Sequence, residues 1–140
     1  MEFQTIVPER IKDGKIGVVA LNRPPVNAWS HQLIDEMAGC LNDFKNDPDM
    51  NVVIIKSNCK HFSAGIDFDE ILNKPGDIIL DFFKKCMSIR PLLQSMPQIT
   101  IAQVHGVAAA YGTHLTWFCD LAVASEDAQF GAPPINAGLG

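Results

Sequence analysis

The chain has 140 residues, 47% of them apolar, with 11 Lys and Arg against 16 Asp and Glu for a net charge of −5. That length allows one modest domain and not two. The acidic balance excludes nucleic acid as the main partner, since phosphate binding needs a basic surface. No apolar run approaches the length of a membrane span. The four cysteines, Cys40, Cys59, Cys86 and Cys119, show neither a C-x-x-C pair nor a histidine at metal-ligand spacing. Reduced thiols, no metal, and an amino terminus without signal or transit pattern lead us to expect a soluble protein of the cytoplasm or an organelle matrix.

Phe3 to Ile11 and Ile16 to Asn22 read as two strands of an antiparallel hairpin about Asp13-Gly14-Lys15, with Pro8 marking the first as an edge strand. Arg23-Pro24-Pro25-Val26-Asn27-Ala28-Trp29 breaks the pattern and leads to Ser30, a good N-cap. In the helix that follows, Leu33, Ile34, Met37, Leu41 and Phe44 form one apolar stripe, and Asn46-Asp47-Pro48-Asp49 stops it. The β-branched run between Asn51 and Lys56 reads as a buried strand. Strand, helix, strand with so long a crossover implies a parallel neighbour and a right-handed connection. Beyond a loop from Asn73, a helical segment is expected from Asp77 to Met96, bent or divided at Pro91, with Ile78, Leu80, Phe82, Phe83, Met87, Leu92 and Leu93 offered for burial. Ile99 to Val104 reads as another buried strand, Ala110 to Phe118 as a short helix, and Leu121–Ala124 and Gln129–Gly131 as two last short strands. The fold class is α/β in one domain over 1–140, without repeats or linkers. The final Pro133 to Gly140 stops in mid-pattern, as the front part of something longer would.

Two stretches carry the chemistry. In His61-Phe62-Ser63-Ala64-Gly65-Ile66-Asp67, small residues and a glycine follow a strand and precede a short helical segment. Val104-His105-Gly106-Val107-Ala108-Ala109-Ala110-Tyr111-Gly112 repeats that logic. Small residues let backbone N–H groups approach a ligand closely, and a free N–H at a helix start suits a developing negative charge. Lys56 and Lys60 flank the first turn and form either a local cationic spot for a phosphorylated ligand or two solvated side chains.

Four motifs in order resemble the crotonase (enoyl-CoA hydratase/isomerase) superfamily: Leu21-Asn22-Arg23-Pro24 with Asn27-Ala28; Phe62-Ser63-Ala64-Gly65-Ile66-Asp67; His105-Gly106 through Gly112 to Cys119-Asp120 and Ala124; and Phe130-Gly131 with Pro133 and Gly138-Leu139-Gly140. The resemblance implies a spiral of strand-and-helix turns with its carboxy-terminal part missing here. It also implies assembly into homo-trimers or hexamers and an acyl-CoA substrate, with coenzyme A as part of that substrate and no cofactor bound permanently. By alignment the amides of Ser63 and Tyr111 form an oxyanion hole. Losing one such donor typically costs about 2.7–4 kcal/mol of barrier. Coenzyme A would lie along Pro25, Val26, Asn27 and Ala28 and along His61, Ser63, Ala64, Gly65, Ile66 and Asp67, with Ala110 and Pro134 also at the ligand.

The chain departs from the family at three points. Tyr111 replaces the central glycine of the second turn, so its ring must point away and would narrow or cap the acyl pocket. His114 and Pro134 stand where hydratases carry their two glutamates, and hydration needs a carboxylate pair to orient water. Plain hydratase activity is therefore disfavoured. His114 is the natural replacement acid or base, because imidazole titrates near neutral pH; a packed, hydrogen-bonded histidine is the alternative. Asp67 is expected to stabilise a helix N-terminus, Glu70 to face solvent, and Phe82, Phe83, Trp117 and Phe118 to serve the core or subunit contacts. Asn136 is a further candidate for orienting a polar acyl group.

Overall fold

The computed structural model describes residues 2–132. A five-stranded sheet in the order β1-β2-β3-β4-β6 is built from β1 (Ile6–Ile11), β2 (Ile16–Leu21), β3 (Val52–Ser57), β4 (Ile99–Val104) and β6 (Leu121–Ala124). β1 pairs antiparallel to β2, and every other pair is parallel. The crossovers are α1 (His31–Lys45) from β2 to β3 and α2 (Gly76–Gln94) from β3 to β4. The path from β4 to β6 runs through β5 (Val107–Ala109) and α3 (Tyr111–Phe118), and β5 pairs parallel with β7 (Gln129–Gly131) in a second, two-stranded sheet. Crossovers of this length are what parallel pairing requires.

The apolar stripe read for α1 is buried along its length, and Ser30 caps the helix by accepting the Leu33 amide at 3.2 Å. Burial on β3 and β4 alternates, so they are half-covered strands and not the fully buried ones expected; Ile99 is 51% exposed. β2, between β1 and β3, is buried almost throughout. Pro8 does lie on an edge strand. The Cys119-Asp120 pair owes its place to the sheet: Asp120 accepts the Thr100 amide at 2.8 Å and the Thr100 hydroxyl at 2.9 Å, locking the entry of β6 to that of β4.

Two expectations for α2 are corrected. Pro91 does not divide it, for the helix runs unbroken to Gln94. Met87, whose carbonyl loses its partner to the proline ring, lies with Pro91 on the exposed side, where water replaces the bond. The buried face is Phe82, Cys86, Ile89 and Leu93, whereas Ile78, Leu80 and Met87 are exposed. The helical period selects one stripe, and Leu80 and Met87 lie off it, while Ile78 continues it in the first turn of the helix and is exposed there.

β1 starts at Ile6 and not Phe3 because the preceding amides have another partner. Gln4 N and Thr5 N donate to one oxygen of buried Glu36 at 3.0 and 2.8 Å, and the Thr5 hydroxyl adds a third bond at 2.7 Å. Burial works to raise the Glu36 pKa, but the bonds from Thr5, Gln4 and Gln32 outweigh it and hold the carboxyl below its ordinary value. A depressed folded pKa means stability present above the unfolded value and lost as pH falls through the folded one. Glu36→Gln should therefore cost about 1–3 kcal/mol at neutral pH in urea denaturation. The gap from wild type should close as the pH is taken below the ordinary carboxylate range.

Candidate active site

The site is assembled by backbone pairing between segments far apart in sequence. Buried Asn27 is the hub of the first half. Its Oδ1 accepts the Arg23 amide at 2.8 Å, and its Nδ2 donates to Ser57 Oγ at 2.8 Å and to the Phe62 carbonyl at 3.0 Å. Asn27 sits at φ +50°, a region asparagine tolerates better than most residues. Alongside, Ala64 N donates to Val26 O (2.9 Å), Ser63 Oγ to Asn27 O (2.8 Å), Trp29 N to Gly65 O (2.7 Å) and Asp67 N to Trp29 O (2.9 Å). The two segments to which coenzyme A was assigned, 25–28 and 61–67, thus lie side by side.

The second half docks through Ser63. Its amide donates to Val107 O at 3.2 Å and its carbonyl accepts the Ala109 amide at 2.9 Å, a parallel bridge to Ala108 that adds Ser63 to the β5–β7 sheet. α3 then passes directly over Ser63. A Cβ on Gly112 would clash with the Ser63 carbonyl oxygen and stand 3.0 Å from Ser63 Cβ. Gly65, at φ +99°, is needed for the same approach, because a side chain there would meet Ala110 Cβ at 3.0 Å and Ala109 O at 3.1 Å.

Every buried backbone group needs a partner, so the amides of the first turn can be followed one by one. Ser63 N goes to Val107, Ala64 N to Val26, Gly65 N to Ser63 Oγ at 3.2 Å, and Asp67 N to Trp29. Within the segment 63–67, only Ile66 N finds no partner among the described residues. This corrects the expectation for Ser63: its residue is fully buried and its amide is spent on the ladder. In the second turn Ala110 N donates to Gly131 O at 2.8 Å, and Tyr111 N, the first of α3, has no partner among the described residues. The two turns touch here: a Cβ on Gly65 would lie 3.6 Å from Tyr111 N. Ile66 and Tyr111 are both half-buried, so two free N–H groups stand on adjoining turns within reach of a ligand.

Tyr111 itself needs no unusual backbone, since it is helical; the strained residue is Ala110, at φ +50° and ψ −117°. The Tyr111 ring packs against Trp29 (centroids 5.4 Å apart), Phe83 (6.3 Å) and His114 (5.1 Å). His114, one turn along α3, also faces Trp117 at 5.3 Å and Phe118 at 6.3 Å. Burial holds its pKa below the ordinary imidazole value, and burial likewise raises that of the Tyr111 phenol. Phe82 and Phe118 are core residues, as expected, while Trp117 is 68% exposed.

Asp67 caps the 3₁₀ turn Phe68–Glu70 by accepting Asp69 N at 3.1 Å, and it also pairs with Arg23 at 2.6 Å. That ion pair joins the first motif to the second. Glu70 is not simply solvent-facing: it accepts the His31 amide at 3.0 Å and is half-buried. Of the other assigned positions, Pro25 and Ala64 are exposed, Val26, Ala28 and His61 half-buried, and Ala110 buried. His61 Nδ1 accepts Val107 N at 3.2 Å, a bond that helps hold the two turns together. Lys56 and Lys60 pair with no carboxylate among the described residues. Pro134 and Asn136 lie outside the described residues. Burial pushes the thiols of Cys40, Cys86 and Cys119 up to about 12, too high for nucleophiles at neutral pH. Among the described residues no His, Cys, Asp and Glu cluster could hold a metal ion, and no helix is long and apolar enough to cross a membrane.

A mainly parallel α/β sheet with two small-residue turns meeting at a helix start defines the class of protein. The family model for enoyl-CoA hydratase/isomerase matches residues 11–140, and the chain belongs to that family. A probable enoyl-CoA hydratase of Mycobacterium bovis is 34% identical over 142 residues, covering 99% of this chain and 53% of its own length. A solved enoyl-CoA hydratase of Mycobacterium smegmatis superposes with a TM-score of 0.92 at 31% identity, over 97% of this chain and 53% of its own. A Legionella pneumophila structure described as an enoyl-CoA hydratase/isomerase (crotonase) gives 0.91 at 32%, over 99% and 54%. The fold is therefore the crotonase fold, and the chain spans about half the length of the relatives it matches.

Gly112→Ala tests the docking of the two turns. The added methyl must push α3 off Ser63, at a cost of about 1–3 kcal/mol, and should loosen the α3 start. Hydrogen exchange at the Ala109 and His114 amides, which donate to Ser63 O and Ala110 O, should speed up more than at β2, whereas a purely global loss of stability would affect both alike.

Proposed function

We propose that this chain binds coenzyme A thioesters and stabilises the enolate or tetrahedral oxyanion formed at the thioester carbonyl, using the amides of Ile66 and Tyr111. The observation that carries this reading is the pair of unpartnered N–H groups on touching turns, one of them at the start of α3, where the helix dipole adds favourable potential. Donors fixed by the backbone need no reorganisation as charge develops. Coenzyme A enters as part of the substrate, along 25–28 and 61–67, with no permanently bound cofactor. The reaction is isomerisation, hydrolysis or an atypical hydration. We place the protein in the cytoplasm or an organelle matrix as a homo-trimer or hexamer.

His114 is the acid or base of this proposal. It stands one helical turn from Tyr111, is half-buried, and makes no side-chain hydrogen bond among the described residues, which leaves both ring nitrogens for a substrate. A base must be neutral, and burial favours the neutral ring. Its aromatic neighbours Tyr111, Trp117 and Phe118 support a second reading, a non-catalytic acyl-CoA-binding relative in which His114 only packs.

Calorimetric titration with acetoacetyl-CoA, an enolate mimic, against free coenzyme A tests the binding proposal. The thioester should bind at least about tenfold more tightly, a difference near 1.4 kcal/mol; equal affinities, or none, would remove the oxyanion site. Substitution of His114 then separates the two readings. If His114 transfers a proton, His114→Ala should lower turnover by about 10²–10⁴ with acetoacetyl-CoA affinity kept. Wild-type turnover should fall as pH drops through a value below the ordinary imidazole pKa of 6.5. Binding without turnover in either form leaves the second reading.

A further inference from the structure

We infer that the aromatic side chains beside the proposed oxyanion site form a wall that restricts it to thioesters of short acyl groups, acetyl to butyryl, with Tyr111 and Phe83 setting the limit. The inference rests on the thioester reading and adds the substrate class to it. The rings follow one another without a gap across three elements. Phe82 and Phe83 of α2 are 6.0 Å apart, Phe83 meets Tyr111 at 6.3 Å, and Tyr111 meets Trp29 at 5.4 Å and His114 at 5.1 Å.

These separations decide the point. Centroids 4.5–7 Å apart are those of rings in direct contact. An alkyl chain threaded between two rings needs one layer of contact on each side, about 7–8 Å in all. None of these pairs leaves that space. The wall also stands close to the reacting carbon. The Tyr111 side chain leaves its Cα, one bond from the amide nitrogen that would hold the thioester oxygen, so an acyl substituent soon meets the ring. Trp29 is fully buried within the hydrophobic core, so the wall is backed by close-packed side chains and cannot retreat. Tyr111 and Phe83 are half-buried, as is His114, and so are the carbocyclic members of the wall that keep exposed surface for an acyl group to meet.

Titration of the chain with acetyl-, butyryl-, hexanoyl- and octanoyl-CoA, in wild type, Tyr111→Gly and Phe83→Ala, tests the wall. An open apolar pocket would tighten about fourfold per added methylene. The wild type should instead bind octanoyl-CoA at least about tenfold more weakly than butyryl-CoA by that measure. The ratio should fall toward one in at least one variant, and Phe83→Ala keeps the test alive should Tyr111→Gly misfold. A wild type that binds octanoyl-CoA as tightly as butyryl-CoA, or variants that both keep the wild-type ratio, would overturn the wall and leave thioester binding standing. If no thioester binds more tightly than free coenzyme A, the thioester reading fails and the wall with it.

Discussion

The constraint on which the rest depends is the single ladder step between Ser63 and Ala108. It joins a turn that follows β3 to a strand that follows β4, and it does so with both backbone groups of Ser63. Once that step is made, the phase of the whole turn is fixed. Ser63 O is held against α3, which leaves no room for a side chain at position 112. Gly65 must fold back at positive φ, Ala110 must take a backbone conformation that costs of order 1–3 kcal/mol for a residue other than glycine, and the amides of Ile66 and Tyr111 are left without partners among the described residues. The small residues in this region are consequences of the approach. They make room for backbone against backbone.

That ordering explains what the sequence could and could not disclose. Periodic signals were legible because burial enforces them locally: the α1 stripe, its Ser30 cap and the edge position of β1 all follow from side chains within a few residues of one another. Which amide of the first turn stays free was not legible. It depends on register between segments some 45 positions apart, and a shift in register changes which amides are used. The glycines told of a close approach and not of its phase, so Ser63 was the expected donor where Ile66 is the unpartnered one. Glu70 shows the same limit, since its partner is the His31 amide. Pro91 was read by a local rule that is correct for a buried helix and too strict where the freed carbonyl faces water.

The charged residues around the turns reinforce the same geometry. Arg23 donates both to the Ala28 carbonyl at 3.0 Å and to Asp67 at 2.6 Å, and Asp67 in turn caps the 3₁₀ turn. One ion pair therefore ties the loop before α1 to the far end of the turn that carries Ile66. Asn27 does the equivalent for the near end with neutral hydrogen bonds. Held at both ends, the segment 63–67 has little freedom to reorient its amides. This is the property an oxyanion site needs, because a donor that must first rotate into place gives back part of what it stabilises.

A site whose donors are backbone groups separates two tasks that other active sites entangle. Polarising the carbonyl is left to the fold, through ladder steps that most side-chain substitutions do not touch. Moving protons and shaping the acyl space are left to side chains that hang from the same turns. In the proposed site Tyr111 shows how closely the two are joined: its N–H would serve the first task and its ring the second. A bulky residue is tolerated at this point because the strained conformation falls on Ala110, one position earlier, while Tyr111 enters a regular helix. The fold can therefore keep the proposed oxyanion site while His114 and the aromatic wall change what the site acts on.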